Sequence, residues 1–208
     1  ELLSKSKDNH VEQVIITASG GPFLNLSINK FKNITLEETL RHPNWSMGKK
    51  ISVDSATMMN KVFEVIEAQR IFNINMKKFR ILIHPKSYVH AIIKFSNGLS
   101  KILIHDTDMK IPIFNSIYHK SNNSIKTKNL NIKYLNNLNF QEVDDKKFPS
   151  VKLLKLIPHE NSLFETVLVS CNDELVNLFL KKKISFLNIH KLTKKIISLK
   201  EFDKFKDK

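Results

Sequence analysis

The sequence is short of the residues that mark several classes of protein. It has one cysteine, Cys171, so no disulfide can form within the chain and a reducing compartment is expected. Only four of its 208 residues are glycine, and no apolar run approaches the roughly 18 residues of a membrane span. The chain begins at Glu1 with no methionine and no signal peptide, and we expect it to be a segment of a longer protein.

Arginine is also scarce, although the chain is strongly basic. Its 34 lysine and arginine residues exceed its 20 acidic residues, for a formal net charge of +14, yet only Arg41, Arg70 and Arg80 are arginine. Arginine is the residue best suited to reading bases and phosphates with paired hydrogen bonds. The scattered lysines therefore favour a solvated surface, and we expect neither a nucleic-acid nor a membrane partner. A basic nucleic-acid-binding fragment without enzymatic activity is the alternative.

The remaining composition, 41% hydrophobic and 26% charged, is typical of a globular protein.

Thr35 and Glu38 form a capping box that opens a short helix before Pro43. In the first 72 residues, periodicity and turn residues predict, in order, a strand over 11–17, a turn over 18–22, the short helix over 35–41, a loop over 42–50, a strand over 51–53 and a long helix from Asp54 to about Phe72.

The rest of the chain divides into a second β region and a helical end. Three strands are predicted near 79–84, 88–95 and 99–105, with a hairpin turn at Ser96–Gly98 that leaves a strand at the edge of the sheet. The predicted fold class is α/β. Its predicted parts are a domain with a mixed sheet and flanking helices over 1–118, a polar linker over 119–147 and a small all-α domain over 148–208.

The long predicted helix carries the strongest chemical pattern. At 100° per residue, Asn60, Lys61 and Glu64 share one face, whereas Met58, Met59 and the valines fall on the opposite, apolar face. An amide, an ammonium and a carboxylate on one face are suited to a binding site, but a solvated amphipathic helix presents the same residue types. The spacing alone does not decide between a binding site and a solvated face.

The residues that flank this face indicate an anion site. Ser19 stands before Gly20 and Gly21 at a predicted strand end, where glycine lets the backbone approach a ligand. Ser55 is predicted at a helix amino terminus, where free N–H groups favour anions. Together with Asn60 and Lys61, these residues predict a phosphate cradle, and Glu64 one turn further on predicts an oxygen ligand for a divalent metal.

The loop over 42–50 contains the only tryptophan, Trp45, between His42-Pro43 and Met47-Gly48. A tryptophan in such a loop is suited to a lid that closes over a substrate and expels water. A side chain that plugs the core beneath the loop explains the same pattern, and the sequence does not decide between the two.

Several of these segments resemble the 1-deoxy-D-xylulose-5-phosphate reductoisomerase family. The resemblance rests on the order and spacing of three motifs, Ser19-Gly-Gly-Pro-Phe23, His42-Pro-Asn-Trp-Ser-Met-Gly48 and Lys50-Ile-Ser-Val-Asp-Ser-Ala-Thr-Met-Met-Asn-Lys61. The later segments Ile83–His90, Thr107–Pro112 and Phe148–Leu153 also fit the family.

The resemblance implies roles for individual residues. The substrate-binding positions of the family match Ser19, His42, Ser55, Asn60, Lys61 and Glu64. Of these, Glu64, His42 and Lys61 are the expected catalytic residues, and Glu64 is the expected ligand of Mg2+ or Mn2+. Trp45 and Met47 match a lid, and Gly48 matches a backbone position beside NADPH.

The resemblance also implies a reaction. In the family, NADPH and a divalent metal convert 1-deoxy-D-xylulose 5-phosphate to 2-C-methyl-D-erythritol 4-phosphate in the non-mevalonate route to isoprenoids. The metal acts as a Lewis acid while the carbon skeleton rearranges, and NADPH then reduces the resulting aldehyde. The family works as a homodimer, in the cytoplasm of bacteria or in a plastid-type organelle of eukaryotes.

Three family features are missing from these 208 residues. They are the amino-terminal NADPH domain with its glycine-rich turn, an Asn-Lys-Glu motif, and an Asp-Ser-Glu motif that supplies two more metal ligands. We therefore expect the isolated chain to be inactive, although the polypeptide it comes from is an enzyme. The family sequence Asn-Ala-Ala-Asn-Glu is replaced by Val169-Ser-Cys-Asn-Asp173, which we interpret as drift in a structural helix.

Overall fold

The computed structural model describes residues 2–3, 10–45, 47–118 and 122–207. Two compact units account for the chain, one within residues 1–19 and 78–142 and the other within residues 20–77 and 143–208. These units are defined by their internal contacts. The functional division at residues 118 and 147 stays a prediction.

The first unit is built on a five-stranded mixed sheet with the order β4-β3-β1-β2-β5. Its strands are β1 (Val11–Ala18), β2 (Phe79–Ile83), β3 (Val89–Phe95), β4 (Ser100–Ile104) and β5 (Gln141–Glu142). β1 runs parallel to β2, and the β1–β3, β3–β4 and β2–β5 pairs are antiparallel. The four predicted strands that belong to this sheet are confirmed, as is the edge position of the strand after the hairpin.

The segment 119–147 is more structured than its polar composition indicated. Besides α4 (Lys110–Ile117) before it, the unit contains α5 (Ile132–Leu135), and β5 pairs with β2 through Leu82 and Ile83. Arg80 of β2 forms an ion pair with Glu142 of β5. Pairing with an existing strand edge orders residues that have no periodicity of their own, and the role of this segment as a linker stays a prediction.

The carboxyl ends of the parallel strands β1 and β2 lie side by side. Ala18 pairs with Ile83, and the His84 N–H donates to the Ala18 carbonyl oxygen at 2.7 Å. His84 is fully buried and stacks on Phe140. Ser19 follows Ala18 directly and therefore lies at the end of the sheet where ligands of α/β proteins commonly bind.

The second unit is helical. Its α-helices are α1 (Leu36–Thr39), α2 (Lys49–Thr57), α3 (Met59–Phe72), α6 (Phe164–Leu180) and α7 (Phe186–Ile197). The predicted capping box at α1 is confirmed, since Thr35 and Glu38 each bond the other's backbone N–H. Two apolar clusters hold the unit together, one around Phe23, Phe31 and Phe186 and one between α3 and α6. The α/β fold class and the helical carboxyl-terminal region are thus confirmed.

Within the part of the chain that the structure describes, no helix combines the length and the apolar character that crossing a bilayer requires.

Candidate active site

The candidate residues of the helical unit lie on or beside a break between α2 and α3. Met58 has a φ of 63°, in the left-handed region, and separates the two helices. The Thr57 hydroxyl lies 3.1 and 3.2 Å from the Val53 and Asp54 carbonyl oxygens and accepts the Met59 N–H at 3.4 Å. The Thr57 hydroxyl thus contacts backbone groups on both sides of the break, and Met58 is the residue at which α2 ends and α3 begins.

This break corrects the prediction for Asp54 and Ser55. Residues 51–53 are helical, not a strand, and Asp54 and Ser55 lie in the carboxyl-terminal half of α2 instead of at a helix amino terminus. The macrodipole argument for Ser55 is therefore wrong. The reason is burial: Ser52 through Thr57 are all buried, and a helix buried around most of its surface has no clear periodicity in its sequence.

Asn60, Lys61 and Glu64 lie together on α3, as the helical spacing predicted. The Lys61 Nζ donates to both Glu64 carboxylate oxygens at 2.7 Å, and the Asn60 Oδ1 accepts the Lys61 N–H at 2.9 Å. Only 15% of the Lys61 side chain is exposed, whereas Glu64 is 42% exposed. Met59, Val62 and Val65 on the other side of α3 are fully buried. The prediction of an apolar face opposite these polar residues is confirmed.

His42 belongs to the same neighbourhood. Burial lowers the pKa of the His42 imidazole, and the nearby charge of Lys61 lowers it further. Its Nδ1 accepts the N–H groups of Asn44 and Trp45 at 3.1 and 3.0 Å. A neutral imidazole with Nδ1 as acceptor carries its proton on Nε2, so His42 is suited to donating a hydrogen bond from Nε2 at neutral pH.

The described residues of the loop ahead of α2 form no helix or strand up to Gly48, which is the N-cap of that helix. Trp45 and Met47 are both half-buried, and Ser46 between them lies outside the described residues. Trp45 is thus not a fully buried core side chain. A Cβ placed on Gly48 would meet nothing within 4 Å, so the backbone there is open to approach. The lid role of this loop and the NADPH contact at Gly48 stay predictions.

The glycine turn after Ser19 packs against the end of α2. Gly20 and Gly21 have φ values of 86° and 63°, which an L side chain rarely adopts. A Cβ on Gly21 would lie 3.0 Å from the Ser55 carbonyl oxygen. The close neighbour that requires glycine at position 21 is thus the backbone of Ser55, and the approach of a ligand to this turn stays a prediction.

Sequence reasoning missed a buried polar network beside Ser55. The Asn172 Nδ2 of α6 donates to the Asp54 Oδ1 at 2.8 Å, and the Lys50 Nζ lies 2.7 Å from the Asp54 Oδ2 and 2.9 Å from the Asp173 Oδ1. Burial raises the pKa of Asp54, and the bonds from Lys50 and Asn172 offset only part of this. The one available signal was the i, i+4 spacing of Lys50 and Asp54, which is informative only once 49–57 is known to be helical.

The described residues supply little of a metal site by themselves. Among them, no three or more histidine, cysteine, aspartate or glutamate side chains are grouped to hold a metal ion. Mg2+ is held by one or two carboxylates and keeps several waters. Glu64, an exposed carboxylate beside a cation, fits the part of one such ligand and does not build the site alone.

These features define a class: an α/β protein in which an amide, a lysine and one metal-competent carboxylate share a helix face, with a neutral histidine close to the lysine. Two family models match the chain, "1-deoxy-D-xylulose 5-phosphate reductoisomerase C-terminal domain" over residues 1–72 and "DXP reductoisomerase C-terminal domain" over residues 104–208. The chain belongs to the 1-deoxy-D-xylulose 5-phosphate reductoisomerase family.

Individual relatives carry the same name. A reductoisomerase of Pelagibacter ubique is 60% identical over 205 residues, which are 99% of this chain and 53% of the relative. One from the Wolbachia pipientis of Culex pipiens is 42% identical over 98% of this chain and 52% of the relative. The chain thus spans about half the length of the curated relatives it matches.

Solved structures agree. A 1-deoxy-D-xylulose 5-phosphate reductoisomerase from Zymomonas mobilis in complex with NADPH has a TM-score of 0.82 at 35% identity and covers 90% of this chain and 48% of its own. A DOX-P reductoisomerase in complex with NADPH, fosmidomycin and magnesium has a TM-score of 0.85 at 33% identity, over 96% of this chain and 49% of its own.

Proposed function

We propose that this chain is the substrate-binding part of an enzyme that converts 1-deoxy-D-xylulose 5-phosphate to 2-C-methyl-D-erythritol 4-phosphate with NADPH and Mg2+ or Mn2+. The observation that carries the proposal is the grouping of Asn60, Lys61 and Glu64 on α3 with His42 nearby, in a chain 60% identical to a named reductoisomerase. The comparisons do not favour the alternative of a nucleic-acid-binding fragment.

The substrate phosphate is assigned to Ser19, Ser55, Asn60 and Lys61. Lys61 supplies the charge, and its restricted exposure strengthens its attraction to an anion relative to a fully solvated lysine. The hydroxyl and amide groups add hydrogen bonds that fix orientation. The phosphate takes no part in the chemistry, and its binding energy holds the reacting end of the substrate in place.

His42 and Glu64 are assigned to the reacting end. A neutral His42 with its proton on Nε2 donates a hydrogen bond to a substrate oxygen without adding a charge. Glu64 would contribute one carboxylate oxygen to the metal. Its ion pair with Lys61 would then be replaced by the metal contact, and the Lys61 ammonium would be available to the phosphate. When bound, the metal supplies Lewis-acid polarisation of the substrate carbonyl, and NADPH supplies hydride. Trp45 and Met47 exclude water over the substrate, and Gly48 lets the cofactor approach the backbone.

A homodimer is part of the proposal. β4 is an edge strand, and Ile102 on β4 is exposed, as are Ile113 and Ile117 on α4 in the same unit. A second copy of the chain would pair with the backbone groups at the β4 edge and would cover the exposed isoleucines. The named relatives are bacterial, which favours the bacterial cytoplasm over a plastid-type organelle as the location.

The test follows NADPH oxidation by the complete polypeptide with 1-deoxy-D-xylulose 5-phosphate and Mg2+ or Mn2+. We expect turnover, and we expect Glu64→Gln to abolish metal-dependent turnover while the circular dichroism spectrum is unchanged. Glu67→Gln, an exposed carboxylate on the same helix, is the matched control and is expected to keep wild-type activity. Wild-type turnover by Glu64→Gln would remove Glu64 from the site, and absence of turnover in the unaltered protein would refute the function.

A further inference from the structure

The Asp54–Asn172 contact joins two helices that are far apart in sequence. The two residues are separated by 118 positions, and both are almost completely buried, Asp54 at 3% and Asn172 at 0% exposure. Their hydrogen bond of 2.8 Å connects a carboxylate to an amide, a type of bond stronger than one between neutral groups. It ties the carboxyl-terminal half of α2 to the middle of α6.

Lys50 neutralises the charge at this contact by forming ion pairs with two aspartates. Its ammonium lies between the buried Asp54 carboxylate and Asp173 on the surface of α6. A buried carboxylate without a cation beside it would repel an incoming anion. Lys50 cancels the charge of Asp54, so the carboxylate can anchor α2 without opposing a phosphate bound near Ser55.

The buried amide of Asn172 lowers the stability of the fold in one respect. Its Oδ1 is buried and has no hydrogen-bond partner among the residues that the structure describes. An unsatisfied buried amide oxygen is destabilising, and an apolar side chain in α6 would avoid it. Asn172 nevertheless supplies a donor from α6 to the buried Asp54 carboxylate, which an apolar side chain could not do.

The segment that this contact anchors is the one that carries Ser55. Ser55 follows Asp54 directly, its carbonyl faces the glycine turn at Gly21, and the helix breaks three residues later at Met58. A non-glycine residue in the left-handed region persists only where the surrounding structure fixes it. The bond from Asn172 to Asp54 is one of the contacts that fix the last turn of α2.

We propose that Asp54 and Asn172 are positioning residues that fix Ser55 in its place for binding the substrate phosphate. This inference rests on the proposed function, because it assigns these two residues to the phosphate site of that function. It also gives the segment Val169–Asp173 a purpose within the site that our interpretation of it as sequence drift did not foresee.

The test uses the complete polypeptide and four variants: Asn172→Ala, Ser55→Ala, the double variant and Asn177→Ala. Asn177 lies on the same helix and bonds a surface glutamate, so Asn177→Ala is the matched control. The KM for 1-deoxy-D-xylulose 5-phosphate, the KM for NADPH, kcat and the melting temperature are measured for each. Asn172→Ser, which keeps a polar group too short to reach Asp54, replaces Asn172→Ala if the alanine variant does not fold.

We expect Asn172→Ala to raise the KM for the phosphorylated substrate about 10-fold, with the KM for NADPH unchanged and kcat altered less. In the Ser55→Ala background the same substitution is expected to have little further effect, because Asn172 acts through Ser55. Asn177→Ala is expected to behave like the unaltered protein.

The possible failures are distinguishable. Effects of Asn172→Ala and Ser55→Ala that multiply, or a loss of kcat that follows only the folded fraction, would overturn the positioning role while the proposed function stands. A Ser55→Ala variant with an unchanged KM for the phosphorylated substrate would overturn the assignment of Ser55 in the proposed function itself, and the inference with it.

Discussion

Replacing Lys50 with methionine should destabilise the chain in a pH-dependent manner. Methionine keeps an unbranched chain that can still contact the Phe63 ring, over which the Lys50 ammonium lies at 5.3 Å. It removes the cation that sits 2.7 Å from the buried Asp54 carboxylate. The substitution therefore isolates the charge interaction from the packing.

The expected magnitude follows from the exposure of the two partners. Removing one partner of a fully buried ion pair costs about 3–5 kcal/mol. The Lys50 side chain is 45% exposed and Asp54 keeps its bond from Asn172, so solvent screening reduces the loss to about 1–2 kcal/mol. For a chain of this size that is a fall in melting temperature of roughly 2–8 °C.

The pH dependence follows from the pKa of Asp54, which burial raises although Lys50 and Asn172 act against it. Because the folded pKa is above the unfolded one, this group's contribution to stability is complete below the unfolded pKa and is lost as pH rises through the folded pKa. Without Lys50 the pKa of Asp54 rises further. The difference between the two proteins should therefore be largest near neutral pH and should shrink as the pH falls below the raised pKa of Asp54.

The assay is denaturant unfolding of the 208-residue chain and of the Lys50→Met variant, followed by circular dichroism over this pH range. Lys94→Met is the control, since Lys94 and Glu12 form an exposed ion pair of similar length, 2.8 Å. That variant should lose less than about 1 kcal/mol. An effect of Lys50→Met that is independent of pH, or no larger than that of Lys94→Met, would refute the reasoning.

Three further predictions concern the turn, the end of α3 and the isolated chain. Gly21→Ala should lower stability by about 1–2 kcal/mol in a denaturant titration, because alanine is strained at a φ of 63° and its Cβ would approach the Ser55 carbonyl oxygen. Asn73, exposed at the end of α3 with a φ of 50°, should tolerate glycine, whereas Asn73→Ala should be less stable than Asn73→Gly by about 1 kcal/mol in the same titration. The isolated chain should not oxidise NADPH with the substrate and Mn2+, since no metal-holding cluster exists within the residues described for it.

Each of these has a clear contrary result. Unchanged stability of Gly21→Ala would mean that the turn relaxes away from α2. Equal stability of the alanine and glycine variants at position 73 would mean that the left-handed end of α3 is not maintained in solution. Measurable NADPH oxidation by the isolated chain would show that these residues hold metal and cofactor without further ligands.

Local patterns in the sequence were sufficient for much of the architecture. The β-branched runs and the Asn97-Gly98 turn specify the antiparallel hairpin of β3 and β4, because alternation along a strand and a tight turn are both properties of neighbouring residues. The shared face of Asn60, Lys61 and Glu64 is likewise a consequence of helical spacing alone.

Only the tertiary structure decided the features that depend on distant residues. The helix over 49–57 is buried on most sides, so its sequence lacks the amphipathic period that would reveal it, and Ile51 and Val53 resemble a strand. β5 forms because β2 offers an unpaired edge. The bond between Asp54 and Asn172 spans 118 residues, and no local period in a sequence encodes a partner at that separation. Helical spacing in the sequence was enough to place Asn60, Lys61 and Glu64 on one face, whereas contacts between distant segments decided how the last turn of α2, which carries Ser55, is held.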